Sequence, residues 1–316
     1  MFETKDKIGI VILAAGKGTR MKSDKLKVMH ELQGRPLVDY VVGAVENLGW
    51  PEKPVVVARR ENTAAQDYLG SRAQYVIQEK QLGTGQAVAT AESILKGKVD
   101  RVVVLYGDMP FITGASIKNL VGQHLKNNDS LTLMTATVAD FLEWRKNLFE
   151  YGRIIRNENG DIVKIIETKD ATPEQLEIKE VNSGYFCFEA DWLWKNLKNL
   201  KNNNAQGEYY LTDLVKMAFE QKVKMSSVEI LPKEAVRINT LENLQTARTK
   251  EGFRKILTRT EIETYLNKLS QVYGASELNH LRDDARALSS ALNLHKEFKL
   301  LDQLIGALLG TQSIQV

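Results

Sequence analysis

Six apolar residues, Ile8 to Leu13, run straight into a glycine-rich turn, Ala14-Ala-Gly-Lys-Gly-Thr-Arg20. A short β-branched run of this kind reads as a strand buried on both faces, which belongs in a sheet covered by helices. The turn after it then lies at the carboxyl end of a strand, where open α/β sheets bind their ligands. The chain repeats this grammar. Strands are expected at Pro54–Ala58, Gln74–Gln78 and Arg101–Tyr106, and helices at Leu37–Leu48, Ala64–Leu69 and Thr84–Leu95. Such alternation predicts a Rossmann-like α/β fold: a mostly parallel twisted sheet with helices on both faces. Further on, Leu131–Val138, Ile162–Glu167, Val181–Phe188 and Val228–Leu231 read as strands with fewer helices between them, so some antiparallel pairing is expected. Leu211–Glu220 reads as a helix.

From about residue 251 the apolar spacing is helical to the end. Leu278, Leu281, Ala285, Leu288 and Leu292 form one series, and Leu294, Phe298, Leu301, Ile305 and Leu308 another. The phase slip between them predicts two helices or one broken helix. That appendage suits packing on the main domain or a homo-oligomer built through its helices.

Charge and cysteine usage remove several function classes. The net charge is +3 over 316 residues, and Lys and Arg are dispersed, so no nucleic-acid-binding tail is present. The single Cys187 sits in an apolar run and reads as core; one Cys forms neither an internal disulfide nor a Cys-based zinc cluster. His30, His124, His280 and His295 have no zinc-pair spacing and read as surface or helix-packing residues, and Trp144, Trp192 and Trp194 read as core. No stretch has the roughly 20 apolar residues that span a bilayer, and the N-terminus lacks a signal-peptide pattern, so no membrane partner and a cytoplasmic location are expected.

Three strand-end segments carry chemistry. In the first, Gly16 and Gly18 let backbone N–H groups approach phosphate oxygens, with Arg20 and Lys27 as neighbouring cations. It lacks the Walker A pattern, and Met21 stands where a dinucleotide fingerprint has its third glycine. On its own it is equally a plain turn. In the second, Gln78 and Gln81-Leu-Gly-Thr-Gly85 offer an amide and a bare backbone to a planar base, or simply cap the next helix. In the third, Gly107-Asp108-Met-Pro110 ends an apolar strand on a lone carboxylate. That suits Mg2+, which takes one or two protein oxygens, or a turn cap.

Taken in order, Leu13-Ala-Ala-Gly-Lys-Gly-Thr-Arg-Met21, Gln81-Leu-Gly-Thr-Gly85 and Gly107-Asp108-Met-Pro110 resemble the sugar-phosphate nucleotidyltransferases. Tyr151-Gly-Arg-Ile154, Glu167-Thr-Lys-Asp-Ala171 and Asn204-Ala-Gln-Gly-Glu-Tyr-Tyr-Leu-Thr-Asp213 narrow this. With them the chain is similar, over residues 8–248, to the uridylyltransferase half of the bifunctional bacterial family that makes UDP-N-acetylglucosamine.

The resemblance implies a nucleotidyltransferase domain over 1–250 and a helical segment over 251–316. It implies Mg2+-dependent transfer of a uridylyl group from UTP to N-acetylglucosamine-1-phosphate, releasing pyrophosphate. Gly16, Gly18, Thr19, Arg20 and Lys27 would hold the nucleotide phosphates, and Gln78 and Gly83 would recognise the base. Leu13, Ala14, Ala15 and Thr84 would also bind the nucleotide, and Asp108 and Asn239 the metal. Gly152, Glu167, Asn182, Tyr210 and Thr212 would surround the sugar phosphate. Arg20, Lys27 and Asp108 are the implied catalytic groups. The family usually has Pro before the lysine, where this chain has Leu26. It also has an Asn/Asp-Arg pair after the asparagine, where this chain has Thr240-Leu241. The family's acetyltransferase β-helix has no counterpart in the helical period of 251–316, so no acetyl transfer is expected. The alternatives are a nucleotidyltransferase for another sugar or base, and a non-catalytic nucleotide-sugar-binding module.

Overall fold

A computed structural model describes residues 6–61 and 63–248. The expectations for 251–316 lie outside the described residues.

The strands are β1 (Ile8–Leu13), β2 (Glu31–Leu32), β3 (Arg35–Pro36), β4 (Val55–Ala58), β5 (Gln74–Ile77), β6 (Arg101–Tyr106), β7 (Leu131–Thr137), β8 (Arg153–Arg156), β9 (Ile162–Ile166), β10 (Glu180–Glu189) and β11 (Met225–Glu229). The helices are α1 (Leu37–Glu46), α2 (Ala64–Leu69), α3 (Thr84–Thr90), α4 (Glu92–Leu95), α5 (Gly114–Asn127), α6 (Pro173–Leu176), α7 (Ala190–Leu197), α8 (Asp213–Glu220) and α9 (Leu241–Arg248).

The main sheet runs β11-β7-β10-β6-β1-β4-β5. All its strands point the same way except β10, which pairs antiparallel with both β6 and β7. The β8–β9 hairpin attaches to β10. This is the expected mostly parallel sheet with local antiparallel pairing. β2 and β3 form a separate two-stranded ribbon.

The alternation within β1 builds two cores. Ile8, Ile10 and Ile12 face one layer with Val41, Val45, Ile117 and Leu120 of α1 and α5. Val11 faces the other, with Val88, Leu193 and Leu214 of α3, α7 and α8. Burying each such side chain contributes roughly 1.5–3 kcal/mol. Trp192, Trp194 and Cys187 are buried and Trp144 packs against the core, as expected of them.

Several boundaries differ from expectation. The helix expected over 84–95 is broken at Ala91 into α3 and α4. The strand expected at 228–231 lies at Met225–Glu229, because Met225 to Glu229 pair in register with Leu131 to Thr135. α5, α7, β8 and the β2–β3 ribbon are additional to the expected elements, and α9 forms before the expected helical segment begins.

Candidate active site

The strands β6, β1 and β5 run parallel, with β4 between β1 and β5, so the three strand-end segments share one rim of the sheet. The Leu13 carbonyl accepts from the Gly107 N–H at 3.0 Å, and the Ala14 N–H donates to Val57 at 3.0 Å. Ala14 and Ala15 are buried, so the chain leaves the sheet as backbone only at Gly16. Gly18 then takes a left-handed φ of 65°, and a Cβ there would stand 2.7 Å from Cβ of Lys27. The loop therefore folds down over Lys27, and only glycine permits it. Thr19 and Arg20 follow in a single helical turn.

Lys27 is the centre of the arrangement. Its Nζ donates to Oδ2 of Asp108 and, at 3.1 Å, to Oδ1 of Asn239. The Ile238 N–H donates to the Asp108 carbonyl at 2.9 Å, which brings the Asn239 segment onto the end of β6. Burial pushes the Asp108 carboxyl up, but Lys27 and Arg237 beside it outweigh that and hold it below its ordinary value. Leu26 has φ −54°, the angle proline would fix, so the lysine is presented without one.

Arg237 is a participant the sequence did not reveal. Its Nε lies 3.5 Å from Oδ1 of Asp108, and its guanidinium lies over the rings of Tyr106 at 4.4 Å and Tyr151 at 5.7 Å. Nothing in Ala235-Val-Arg-Ile238 marks that arginine as part of the site; only its packing against two tyrosines distant in sequence does.

Arg20 is exposed and its Nη1 pairs with Glu150 at 2.6 Å, apart from the Lys27 group. That ion pair ties the glycine loop to the segment before Tyr151.

At the second segment, Gln78 is buried and its Nε2 donates to Gln86 and to the Gly83 carbonyl. Gly83 has φ 115°, and a Cβ on it would meet the Tyr209 carbonyl at 2.6 Å. Here Tyr209 donates to Leu82 and accepts from Gly85, both at 2.8 Å, and the Leu211 N–H donates to Thr84 Oγ1 at 3.0 Å. The 204–213 string thus docks on the glycine loop backbone to backbone.

The same string reaches the third group. Thr212 Oγ1 donates to Glu167 at 2.9 Å, and the Asn182 N–H donates to the Gly152 carbonyl at 2.8 Å. A Cβ on Gly152 would meet Ile165 at 2.6 Å and the Glu167 carboxyl carbon at 3.5 Å. Burial pushes the Glu167 carboxyl above its ordinary value, offset in part by Thr212 and Arg237. Tyr210 accepts from Gln206 at 2.8 Å. The structure therefore gathers Gly152, Glu167, Asn182 and Thr212 into one group, with Arg237 between it and Asp108.

Chemically, oxygens of Asp108 and Asn239 both accept from one ammonium, and Asp108 Oδ1 is buried without a hydrogen-bond partner. Oxygen donors of this number fit a hard divalent ion that keeps most of its sites for phosphate and water. Among the described residues no group of three or more His, Cys, Asp or Glu is placed to hold a metal. Among the same residues no helix is long and apolar enough to cross a membrane.

Comparison with known proteins agrees. The MobA-like NTP transferase domain family matches residues 10–211. The bifunctional protein GlmU of Acetivibrio thermocellus is 44% identical over 220 residues, 70% of this chain and 46% of that protein. That of Clostridium novyi is 40% identical over 237 residues, 75% of this chain and 50% of that protein. The chain thus spans about half the length of the curated relatives it matches. A solved putative glucose-1-phosphate thymidylyltransferase of Bacillus anthracis, in complex with a sucrose, superposes with TM-score 0.58 at 18% identity. It covers 76% of this chain and 94% of that one, a likeness of fold. The chain belongs to the MobA-like NTP transferase family, as a nucleotidyltransferase similar to the N-terminal half of GlmU.

Proposed function

We propose that the chain transfers a uridylyl group from UTP to N-acetylglucosamine-1-phosphate, with Mg2+ as cofactor. The observation that carries this is the convergence of Lys27, Asp108 and Asn239 beneath the Gly16–Gly18 loop, on the sheet rim that also holds Gln78 at the end of β5. A phosphate oxygen of the sugar phosphate attacks the α-phosphorus of UTP; the bond to the β-phosphate oxygen breaks, and pyrophosphate leaves with the electron pair. Such chemistry needs positioning and charge neutralisation more than a strong base.

In this reading the N–H groups of Gly16, Gly18 and Thr19, with Lys27 and Arg20, hold the triphosphate. The residues Leu13 to Ala15 shape its floor. Gln78, Gly83 and Thr84 take the base, and Gly152, Glu167, Asn182, Tyr210 and Thr212 take the sugar phosphate. Asp108 and Asn239 hold Mg2+, which supplies further neutralisation of phosphate charge when bound. Residues 1–250 form the catalytic domain, acting in the cytoplasm on small molecules without nucleic acid. The 251–316 segment supplies packing or self-association. No acetyl transfer accompanies the reaction, and acetyl-CoA turnover by the full chain would contradict that part.

The test is pyrophosphate release across a panel of nucleoside triphosphates and sugar-1-phosphates. The highest kcat/KM falls on the UTP and N-acetylglucosamine-1-phosphate pair; a clear preference for another pair overturns the assignment.

A further inference from the structure

Gln78 stands at the end of β5 with its side chain buried. Its Nε2 donates to Oε1 of Gln86 at 2.6 Å and to the Gly83 carbonyl at 3.3 Å. A primary amide has two N–H bonds, so both are used. No described residue donates to its Oε1.

Two facing amides alone can hydrogen-bond in either sense. The Gly83 carbonyl removes that freedom, because it only accepts. Gln78 must turn its nitrogen towards Gly83, and Gln86 must then present its oxygen. The shorter of the two bonds is the one to Gln86, on the first turn of α3. The side chain that reads the base is thereby fixed as an acceptor.

We infer that Gln86 is a positioning residue for base choice, locking Gln78 with its oxygen free so that the site takes a pyrimidine with an N3–H. This rests on the proposed function, in which Gln78 faces the base. Uracil offers a donor at N3, whereas cytosine offers a lone pair there, which would face the lone pairs of Oε1. A site built to pair with a group penalises the analogue lacking it, because a buried polar atom is left unmatched. Gly83 sets the sense of the pair and Gln86 holds it: without Gln86 only the 3.3 Å bond to Gly83 remains, and once that single bond opens the side chain rotates and its nitrogen can meet cytosine.

The test is the ratio of kcat/KM for UTP to that for CTP, with N-acetylglucosamine-1-phosphate, in the full chain. Gln86→Met keeps the length of the side chain and removes the acceptor; Gln86→Ser is a second variant should the first fold poorly. Gln86→Glu keeps an acceptor for Gln78. The ratio falls at least about tenfold in Q86M and Q86S, and stays within about threefold of wild type in Q86E. A rise in KM shared equally by both nucleotides is what a merely structural role gives. A fall of less than tenfold in Q86M and Q86S, or an equal fall in Q86E, overturns the inference. Calorimetric binding of UTP and CTP reads the same discrimination without turnover. Absence of turnover with selective binding therefore counts against the proposed reaction and not against Gln86.

Discussion

Arg237 places its Nε 3.5 Å from Oδ1 of Asp108, the oxygen that Lys27 leaves free. Two half-buried cations thus flank one buried carboxylate. Removing one member of such a group costs stability because the others keep their desolvation penalty unpaired. Arg237→Met is expected to lower stability by roughly 3 kcal/mol, at the low end for a broken buried pair because Lys27 remains. Urea denaturation checks this. A loss under about 1 kcal/mol would mean the pair contributes no more than an exposed one.

Gly18→Ala brings a Cβ to 2.7 Å from Lys27 at a left-handed φ. Backbone strain of this kind costs about 1–3 kcal/mol, and the loop can relieve it only by moving off the lysine. The expected outcome is a raised KM for the nucleotide together with a lowered kcat, measured by steady-state kinetics. Unchanged kinetics would show that the loop does not cover Lys27 in the working enzyme.

Glu167 and Thr212 share a 2.9 Å hydrogen bond in the group assigned to the sugar. Glu167→Gln is expected to raise KM for the sugar phosphate about tenfold or more, with the KM for the nucleotide nearly unchanged. An effect on the nucleotide instead would move that group to the other half of the site.

His124 is fully buried, and its pKa is pushed down to about 3 by burial, with Arg101 adding to the effect. A folded value below the unfolded value of about 6.5 means that the unfolded chain binds the proton more readily. The stability gained from keeping the ring neutral is complete above pH 6.5 and is lost as pH falls towards 3. From pH 6.5 to 4.5 the loss is of order 2 kcal/mol, read from urea midpoints. Replacing His124 with Gln should flatten that slope; an unchanged slope would place the acid sensitivity elsewhere.

Much of this site is legible in the sequence because strand ends are punctuated. Leu13, Ile77 and Tyr106 each stop at a glycine-containing or Gln/Asp-bearing turn, and the parallel sheet brings those turns to one rim. Thr212 meets Glu167, as the resemblance places them, because the 204–213 string pairs its backbone with Leu82 and Gly85. Arg237 and Gln86 are not legible in that way. Each acts through packing against residues far away or through the direction of a hydrogen bond, and neither leaves a local pattern. α5 escaped because its polar face is broad, whereas Ile117, Leu120 and Val121 point at the core. β11 starts three residues and ends two residues earlier than expected because its register is set by pairing with β7, not by its own hydrophobicity.

The most direct measurement is pyrophosphate release from UTP and N-acetylglucosamine-1-phosphate with Mg2+, comparing wild type with Asp108→Asn. Wild type is expected to give stoichiometric pyrophosphate and UDP-N-acetylglucosamine. The variant is expected to lose at least about a hundredfold in kcat, because a preorganised charge is removed. Wild type that releases no pyrophosphate from this pair, or a variant that keeps the wild-type rate, would contradict the proposed reaction.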